Sequence, residues 1–298
     1  MYDIIVVGAG PAGMTAAIFA RRANKKVLVI EAKSYGGQIL NATHIENYPA
    51  IESISGFDYA EKLYKQTLNL GAEIIFETVE RVTEDRTVIT NKGEYKAKAV
   101  ILATGVQSRK LNIENESEFA GKGLSYCATC DGNFFKGKTV AVVGGGDAAI
   151  DDANYLADIA EKVYLIHRRD EFTAEKSDLE VLKSRSNVEF VLNANVKSLN
   201  GTDRLESIDV LFNDESTKNI LVDGIFIAVG QEPKNEMFSN VVDLNEFGYI
   251  ISEDGVHTKT KGIYVAGDNR IKLLRQLTTA VSDGSVAATV AIKEFNEL

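Results

Sequence analysis

The chain has 298 residues, above the usual size of one hydrophobic core, so two domains of ordinary size are expected. An apolar fraction of 45% is ample for their cores, while 43 acidic against 33 basic residues leave a formal charge of -10, which argues against a nucleic-acid partner held by phosphate attraction. No run reaches membrane-spanning length, and MYDIIVVGAG enters a strand with no basic and apolar leader ahead of it, so a cytoplasmic protein without a signal peptide is expected.

Residues 3–7, DIIVV, form a short apolar strand that breaks into GAGPAG and then into the helical pattern MTAAIFARRANK. A second strand, KVLVIEA, follows at 26–32 and completes a βαβ unit. Gly8, Gly10 and Gly13 stand at its turn with the spacing of a dinucleotide fingerprint. The first glycine permits a tight turn, the second lets backbone approach a pyrophosphate, and the third lets helix pack close to strand. Glu31 closes the second strand, where a carboxylate can accept hydrogen bonds from a ribose 2′-OH. A glycine turn with a purely structural role is the alternative reading. Residues 57–71 predict a helix, the alternating segments near 73–92 predict strands, and KAVILATG at 98–105 predicts a buried strand ending in the small-residue turn Ala103-Thr104-Gly105.

The same grammar returns at 138–167, where KTVAVV precedes GGGDAA, the helical IDDANYLADIA and the strand KVYLIH. Gly144, Gly146 and Ala149 make a second fingerprint, since alanine at the third place still permits close packing. The strand ends in His167-Arg168-Arg169, where an acidic residue would suit a plain ribose. Two guanidiniums there suit a 2′-phosphate, whose oxygens match their donor forks. The pattern suggests FAD-like binding in the first domain and NADPH in the second, with a solvated basic tip as the alternative for the arginines. VEFVLNANVKSL and SIDVLF repeat an antiparallel theme before VDGIFIAVG at 222–230, and KGIYVAGD at 261–268 predicts a strand stopping at an aspartate. A long helix over roughly 275–295 follows, and the absence of a flexible linker implies short domain joints.

Between the two units, YCATCDG at 126–132 holds both cysteines of the chain, Cys127 and Cys130. A structural zinc site needs four strong ligands, and the chain offers no second cysteine pair and only His44, His167 and His257. In a reducing compartment the pair is poorly explained as a staple. Redox cycling fits better, because neighbouring thiols can close a small disulfide ring and exchange with a partner through a mixed disulfide. Two unpaired neighbouring thiols remain the other reading. Asp131 adds a carboxylate that can relay a proton when the disulfide opens.

These residues carry a resemblance over essentially the whole chain. GAGPAG at 8–13, GGQI at 36–39, ENYP at 46–49, ATG at 103–105, CATCDG at 127–132, GGGDAA at 144–149, HRRDEF at 167–172, GIYVAGDNR at 262–270 and LRQLTTAVSDG at 274–284 follow one another in an order that resembles the low-molecular-weight, bacterial-type thioredoxin reductases. The resemblance implies an α/β fold of two Rossmann-like nucleotide-binding domains of the three-layer ββα type, the second inserted into the first. It implies an FAD domain from 1–112 and 244–298 and an NADPH domain from 113–243 that carries the cysteines. By position it assigns Gly8, Gly10, Pro11, Ala12, Gly13, Glu31, Gly37, Gln38, Asn47, Ala103, Thr104, Gly105, Gly267, Asp268, Arg275, Gln276 and Leu277 to FAD. It assigns Gly144, Gly146, Asp147, Ala148, Ala149, His167, Arg168 and Arg169 to NADPH.

The resemblance also implies roles. Hydride passes from NADPH to the flavin and electrons pass on to the Cys127–Cys130 disulfide. Cys130 faces the flavin as the charge-transfer thiolate, Cys127 attacks the partner disulfide, and Asp131 is acid and base. Members of the family are homodimers, rotate one domain against the other during turnover, and act on a small thioredoxin. The sequence departs from the family at Thr173, where a third arginine is usual, and at Asp151-Asp152, where a glutamate pair is common. It departs again at Ala50 after ENYP, and at VSDG in place of smaller residues. Thr173 keeps ferredoxin or another donor open as the alternative to NADPH, and a flavin-containing redox sensor or binding module is the alternative of another class.

Overall fold

A computed structural model describes residues 1–42, 44–252 and 255–295. The last three residues of the range assigned to FAD, and 253–254, lie outside it. In chain order the first stretch holds β1 (Tyr2–Val7), α1 (Pro11–Arg22), β2 (Val27–Glu31), a 3-10 turn at Gly37–Asn41, α2 (Gly56–Asn69), β3 (Glu73–Phe76), β4 (Val79–Val82), β5 (Thr87–Thr90), β6 (Glu94–Leu102) and β7 (Gln107–Ser108). The middle stretch holds α3 (Glu116–Phe119), β8 (Leu124–Ser125), α4 (Ala128–Asp131), a 3-10 turn at Gly132–Phe135, β9 (Thr139–Val143), α5 (Asp147–Ala157), β10 (Lys162–His167), α6 (Lys176–Lys183), β11 (Val188–Leu192), β12 (Ala194–Gly201), β13 (Leu205–Phe212), β14 (Thr217–Leu221), β15 (Gly224–Ile227) and β16 (Gln231–Glu232). After a 3-10 turn at Glu236–Phe238, β17 (Ile263–Val265) and α7 (Leu277–Lys293) close the chain.

The chain divides into two compact units, one of 1–40, 48–107 and 232–298, the other of 41–47 and 108–231. The crossings fall at β7 and β16, which pair with each other, rather than at the 112 and 244 boundaries expected from sequence. Residues 232–243 go with the first unit for a plain reason: Phe238, Val241 and Val242 are buried in its core beside Val82 and Val88.

In the first unit the strands run β3-β2-β1-β6-β5-β4, with β17 also on β6. The β1, β2, β3, β6 and β17 pairings are parallel, and β4 and β5 extend β6 antiparallel. Parallel strands buried on both faces need apolar residues at every position, which is what IIVV and VLVI supply. Alternate residues serve opposite faces: Ile4 and Val6 meet α1 and α7, whereas Ile5 and Val7 meet the Phe238 side. Helices α1 and α7 touch through small residues, and a Cβ on Gly284 would lie 2.1 Å from the Ala12 carbonyl oxygen. The VSDG departure therefore keeps the one glycine that this crossing requires.

The second unit has a five-stranded parallel sheet, β11-β10-β9-β15-β8, covered on one face by α5 and on the other by the antiparallel β12-β13-β14 sheet. One expectation is corrected here: Val188–Leu192 pairs parallel to β10 from Val163↔Val188 to His167↔Leu192, and only β12 to β14 are antiparallel. The apolar run VEFVL belongs to a doubly covered sheet, and Asn193, at φ 55°, turns the chain before β12 begins.

Candidate redox-active site

Cys127 and Cys130 form a disulfide across one turn of α4, with their Cα atoms 5.3 Å apart. The turn forms because the Cys127 carbonyl accepts from the amides of Cys130, at 3.3 Å, and Asp131, at 3.1 Å. Asp131 then points inward. Its Oδ2 accepts a 2.6 Å hydrogen bond from the Ser125 hydroxyl, which also accepts from the Cys127 amide at 3.1 Å. Its Oδ1 is buried with no hydrogen-bond partner. Burial pushes this carboxyl above the ordinary aspartate range, against the Ser125 hydroxyl and the charge of His44. Ser125, at the end of β8, is the site residue that sequence reasoning missed; nothing marks it except its place six residues before the aspartate.

The residues expected at FAD gather in the first unit, apart from Asn47, whose segment packs with the second. Gly8 has φ 109°, and a Cβ there would lie 2.3 Å from the Ala103 oxygen, so the turn and the strand end at Ala103 are fitted to one another. Pro11 opens α1 at its first position, the Gly10 cap has no side chain to satisfy the first amides, and the space beside Gly10 is open. Such an uncapped helix start can take an anion. Glu31 already accepts from the amides of Ala9, at 2.8 Å, and Lys33, at 2.9 Å, which fixes its carboxylate beside the turn. Gly37 lies in contact range of Gly10, and Gln38 donates to the Val106 carbonyl at 2.9 Å. Thr104 and Gly105 follow the β6 end, with the Thr104 hydroxyl hydrogen-bonded to the buried side chains of Asn235 and Asn269, partners that the sequence did not announce.

Gly267 and Asp268 follow β17, where a Cβ on Gly267 would press on Ala12. Asp268 Oδ1 is buried without a hydrogen-bond partner, and burial raises its pKa while Lys272 and Arg275 lower it. Arg275 donates to the backbone carbonyls of Asp268 and Arg270, both at 3.3 Å, and its guanidinium lies over the Tyr249 ring. Gln276 caps α7 in a reciprocal capping box with Thr279, and Leu277 is buried. The open Gly10 turn, the uncapped helix and the orphaned Asp268 oxygen fit a pyrophosphate-bearing dinucleotide with a hydroxyl near Asp268.

In the second unit the strand-to-helix turn is built the same way. A Cβ on Gly144 would lie 2.3 Å from the Ala228 oxygen and 2.7 Å from the Ala149 side chain, and Gly146 begins α5 with no side-chain cap. Asp147 Oδ1 accepts from the Glu175 amide at 2.8 Å, Ala148 is exposed, and Ala149 is buried. His167 stacks on Phe172, and burial, with Arg168 and Arg169 nearby, lowers its pKa. Arg168 and Arg169 are exposed and make no ion pair among the described residues. Thr173, in place of a third arginine, donates from its amide (2.9 Å) and its hydroxyl (3.3 Å) to the Gly145 carbonyl. It therefore braces the glycine turn.

A family model described as "Pyridine nucleotide-disulphide oxidoreductase" matches residues 2–284. The thioredoxin reductase of Bacillus subtilis is 42% identical over 299 residues, 97% of this chain and 93% of that protein. The chain belongs to the pyridine nucleotide-disulphide oxidoreductases, in the low-molecular-weight thioredoxin reductase group. The thioredoxin reductase of Treponema pallidum is 41% identical, covering 100% of this chain and 98% of that one. The crystal structure of thioredoxin reductase from Streptococcus pyogenes superposes with a TM-score of 0.94 at 37% identity, over 100% of this chain and 99% of that chain. For a thioredoxin reductase the Cys127–Cys130 disulfide at α4, directly followed by Asp131, is the expected exchange site.

Proposed function

We propose that the protein is an NADPH-dependent thioredoxin reductase, with FAD held by the first unit and NADPH by the second. The observation that carries this is the closed Cys127–Cys130 disulfide followed directly by Asp131, one of whose carboxyl oxygens is buried without a hydrogen-bond partner. Gly8, Gly10, Gly13 and the start of α1 would take the FAD pyrophosphate, Glu31 the ribose, and Asp268 a hydroxyl of the linker. Gly144, Gly146 and the start of α5 would take the NADPH pyrophosphate, and Arg168 and Arg169 its 2′-phosphate. Bound FAD supplies two-electron chemistry, taking hydride from NADPH and giving an electron pair to the disulfide.

The chain's own residues handle the sulfur and proton steps. Opening the Cys127–Cys130 bond with two electrons gives two thiolates, and Asp131 gives a proton to one of them. Cys127, the first residue of the pair, attacks the thioredoxin disulfide and forms a mixed disulfide as the far thioredoxin sulfur leaves as thiolate. Cys130 then attacks Cys127 sulfur, closing the internal disulfide and releasing reduced thioredoxin. The proton that Asp131 gave returns to it when that sulfur attacks, and the two thioredoxin sulfurs, released as thiolates, take up their protons from water.

An anaerobic titration of the yellow protein tests this reading. Stoichiometric NADPH bleaches the flavin band and oxidised thioredoxin restores it. A flavin that stays oxidised with NADPH and bleaches with reduced ferredoxin would remove NADPH as donor and leave the dithiol chemistry standing. Binding of thioredoxin without turnover under any donor would make the protein a sensor or binding module.

A further inference from the structure

Asp283, buried on α7, gathers an unusual number of donors. It accepts from the Gly267 amide at 3.0 Å, from Arg270 Nε at 3.1 Å and Nη2 at 2.9 Å, and from Lys272 Nζ at 2.9 Å. The amide and the forked guanidinium already satisfy this carboxylate and cancel its charge. The Lys272 ammonium, whose side chain is only 6% exposed, is thus a second buried cation for one anion. Burying a charge is costly unless it is paired. The other anion within its reach is Asp268, whose Oδ1 lies 3.6 Å away, too far for a hydrogen bond and close enough for strong charge attraction.

We propose that Lys272, held in place by Asp283, is the counter-ion that keeps Asp268 an anionic hydrogen-bond acceptor once FAD closes it off from water. This rests on the reading of Asp268 as a contact of FAD. A carboxylate sealed from solvent takes up a proton unless a cation stands beside it, and a protonated acid loses acceptor capacity. The charged groups facing Asp268 are Lys272, Arg275 and Asp283. Arg275 has Nε and Nη2 on backbone carbonyls and its face on Tyr249, and Arg270 is engaged by Asp283, so Lys272 is the cation that stands within ion-pair range of the Asp268 carboxylate. Lys272 is a positioning residue by this argument and reaches the ligand only through Asp268.

The test follows FAD release from the diluted holoenzyme by the rise of flavin fluorescence, from about pH 6 to about pH 9. Wild type is expected to hold FAD with a dissociation constant that is flat with pH. K272M is expected to show a constant that climbs with pH, toward about tenfold per unit, because Asp268 now gains a proton on binding. K272R restores the flat profile. D268N weakens binding with no slope, and D268N/K272M binds no more weakly than D268N, since no charge is left to compensate. A flat K272M profile, or an equal K272M cost in the wild-type and D268N backgrounds, makes Lys272 a structural residue and overturns the proposal. If K272M holds no FAD at all, recovery of FAD in D268N/K272M supports the proposal and continued loss overturns it. If D268N binds FAD as tightly as wild type, the reading of Asp268 itself falls, a separate failure that takes the proposal with it.

Discussion

Asp131 has one oxygen committed to Ser125 at 2.6 Å and the other buried without a hydrogen-bond partner, and it directly follows the second cysteine of the disulfide, so it is the acid we propose for the exchange. Because burial holds its proton to a higher pH than an ordinary carboxylate keeps it, thioredoxin turnover should fall as pH rises through the raised pKa. D131N removes the acid, and with it that limb of the profile. The expected loss in kcat is on the order of 10²-fold, with FAD content unchanged. Steady-state kcat measured against pH checks this; a variant that keeps both rate and limb would show that water supplies the proton. Asp131 was legible because it directly follows the cysteines, and Asp268 because a strand motif ends on it. Ser125, Lys272 and Asp283 were not: Ser125 and Lys272 stand close in sequence to Asp131 and Asp268 but in short or irregular segments whose path no periodicity reveals, and Asp283 meets Lys272 only because the chain folds back onto α7.

Helix α5 joins a nucleotide turn at its start to packing against α4, and it carries an acid that a helix core does not need. Burial, reinforced by the charge of Asp151, pushes the Asp152 carboxyl up to about 7. In the unfolded chain the same group ionises near 4. Between those values the folded protein keeps a proton that the unfolded chain has given up, so this residue lowers stability as pH rises from about 4 to about 7. D152N should therefore stabilise the protein by an amount that grows from about pH 4 and levels off above about pH 7, with a ceiling of about 4 kcal/mol. Urea unfolding of both proteins across that range measures it, and a difference that does not change with pH would mean Asp152 ionises normally. The element itself was readable from sequence, as were β1-α1-β2 and β9-α5-β10, because an apolar run, a glycine turn and a helical period occur together. The crossings at β7 and β16 were not readable: two-residue strands have no period, and Phe238, Val241 and Val242 bury themselves from a single 3-10 turn and the irregular chain after it.

Each unit has its own core on both faces of its own sheet, and each carries one glycine turn at a strand-to-helix junction. A ligand stabilises only what it binds, by an amount set by its concentration relative to its dissociation constant. Hydrogen exchange by mass spectrometry should therefore separate the two proposed cofactors along the chain. Removing FAD should deprotect peptides around 8–14, 36–40, 102–106 and 266–284, and leave those of β9, α5 and β10 as they were. Adding NADP+ to the holoenzyme should protect 143–150 and 166–174, because the α5 amides and the two exposed guanidiniums lie there. NAD+ at the same concentration should protect 143–150 more weakly and 166–174 hardly at all, since it brings no 2′-phosphate to Arg168 and Arg169. Thr173 sets how large that contrast should be: it braces the turn through Gly145 instead of offering a third guanidinium, so the proposed preference for NADP+ would rest on two arginines. Equal protection by the two nucleotides would make the arginines a solvated tip. No protection by either would mean that the second glycine turn holds no nicotinamide cofactor, and electrons would have to reach the dithiol from another donor.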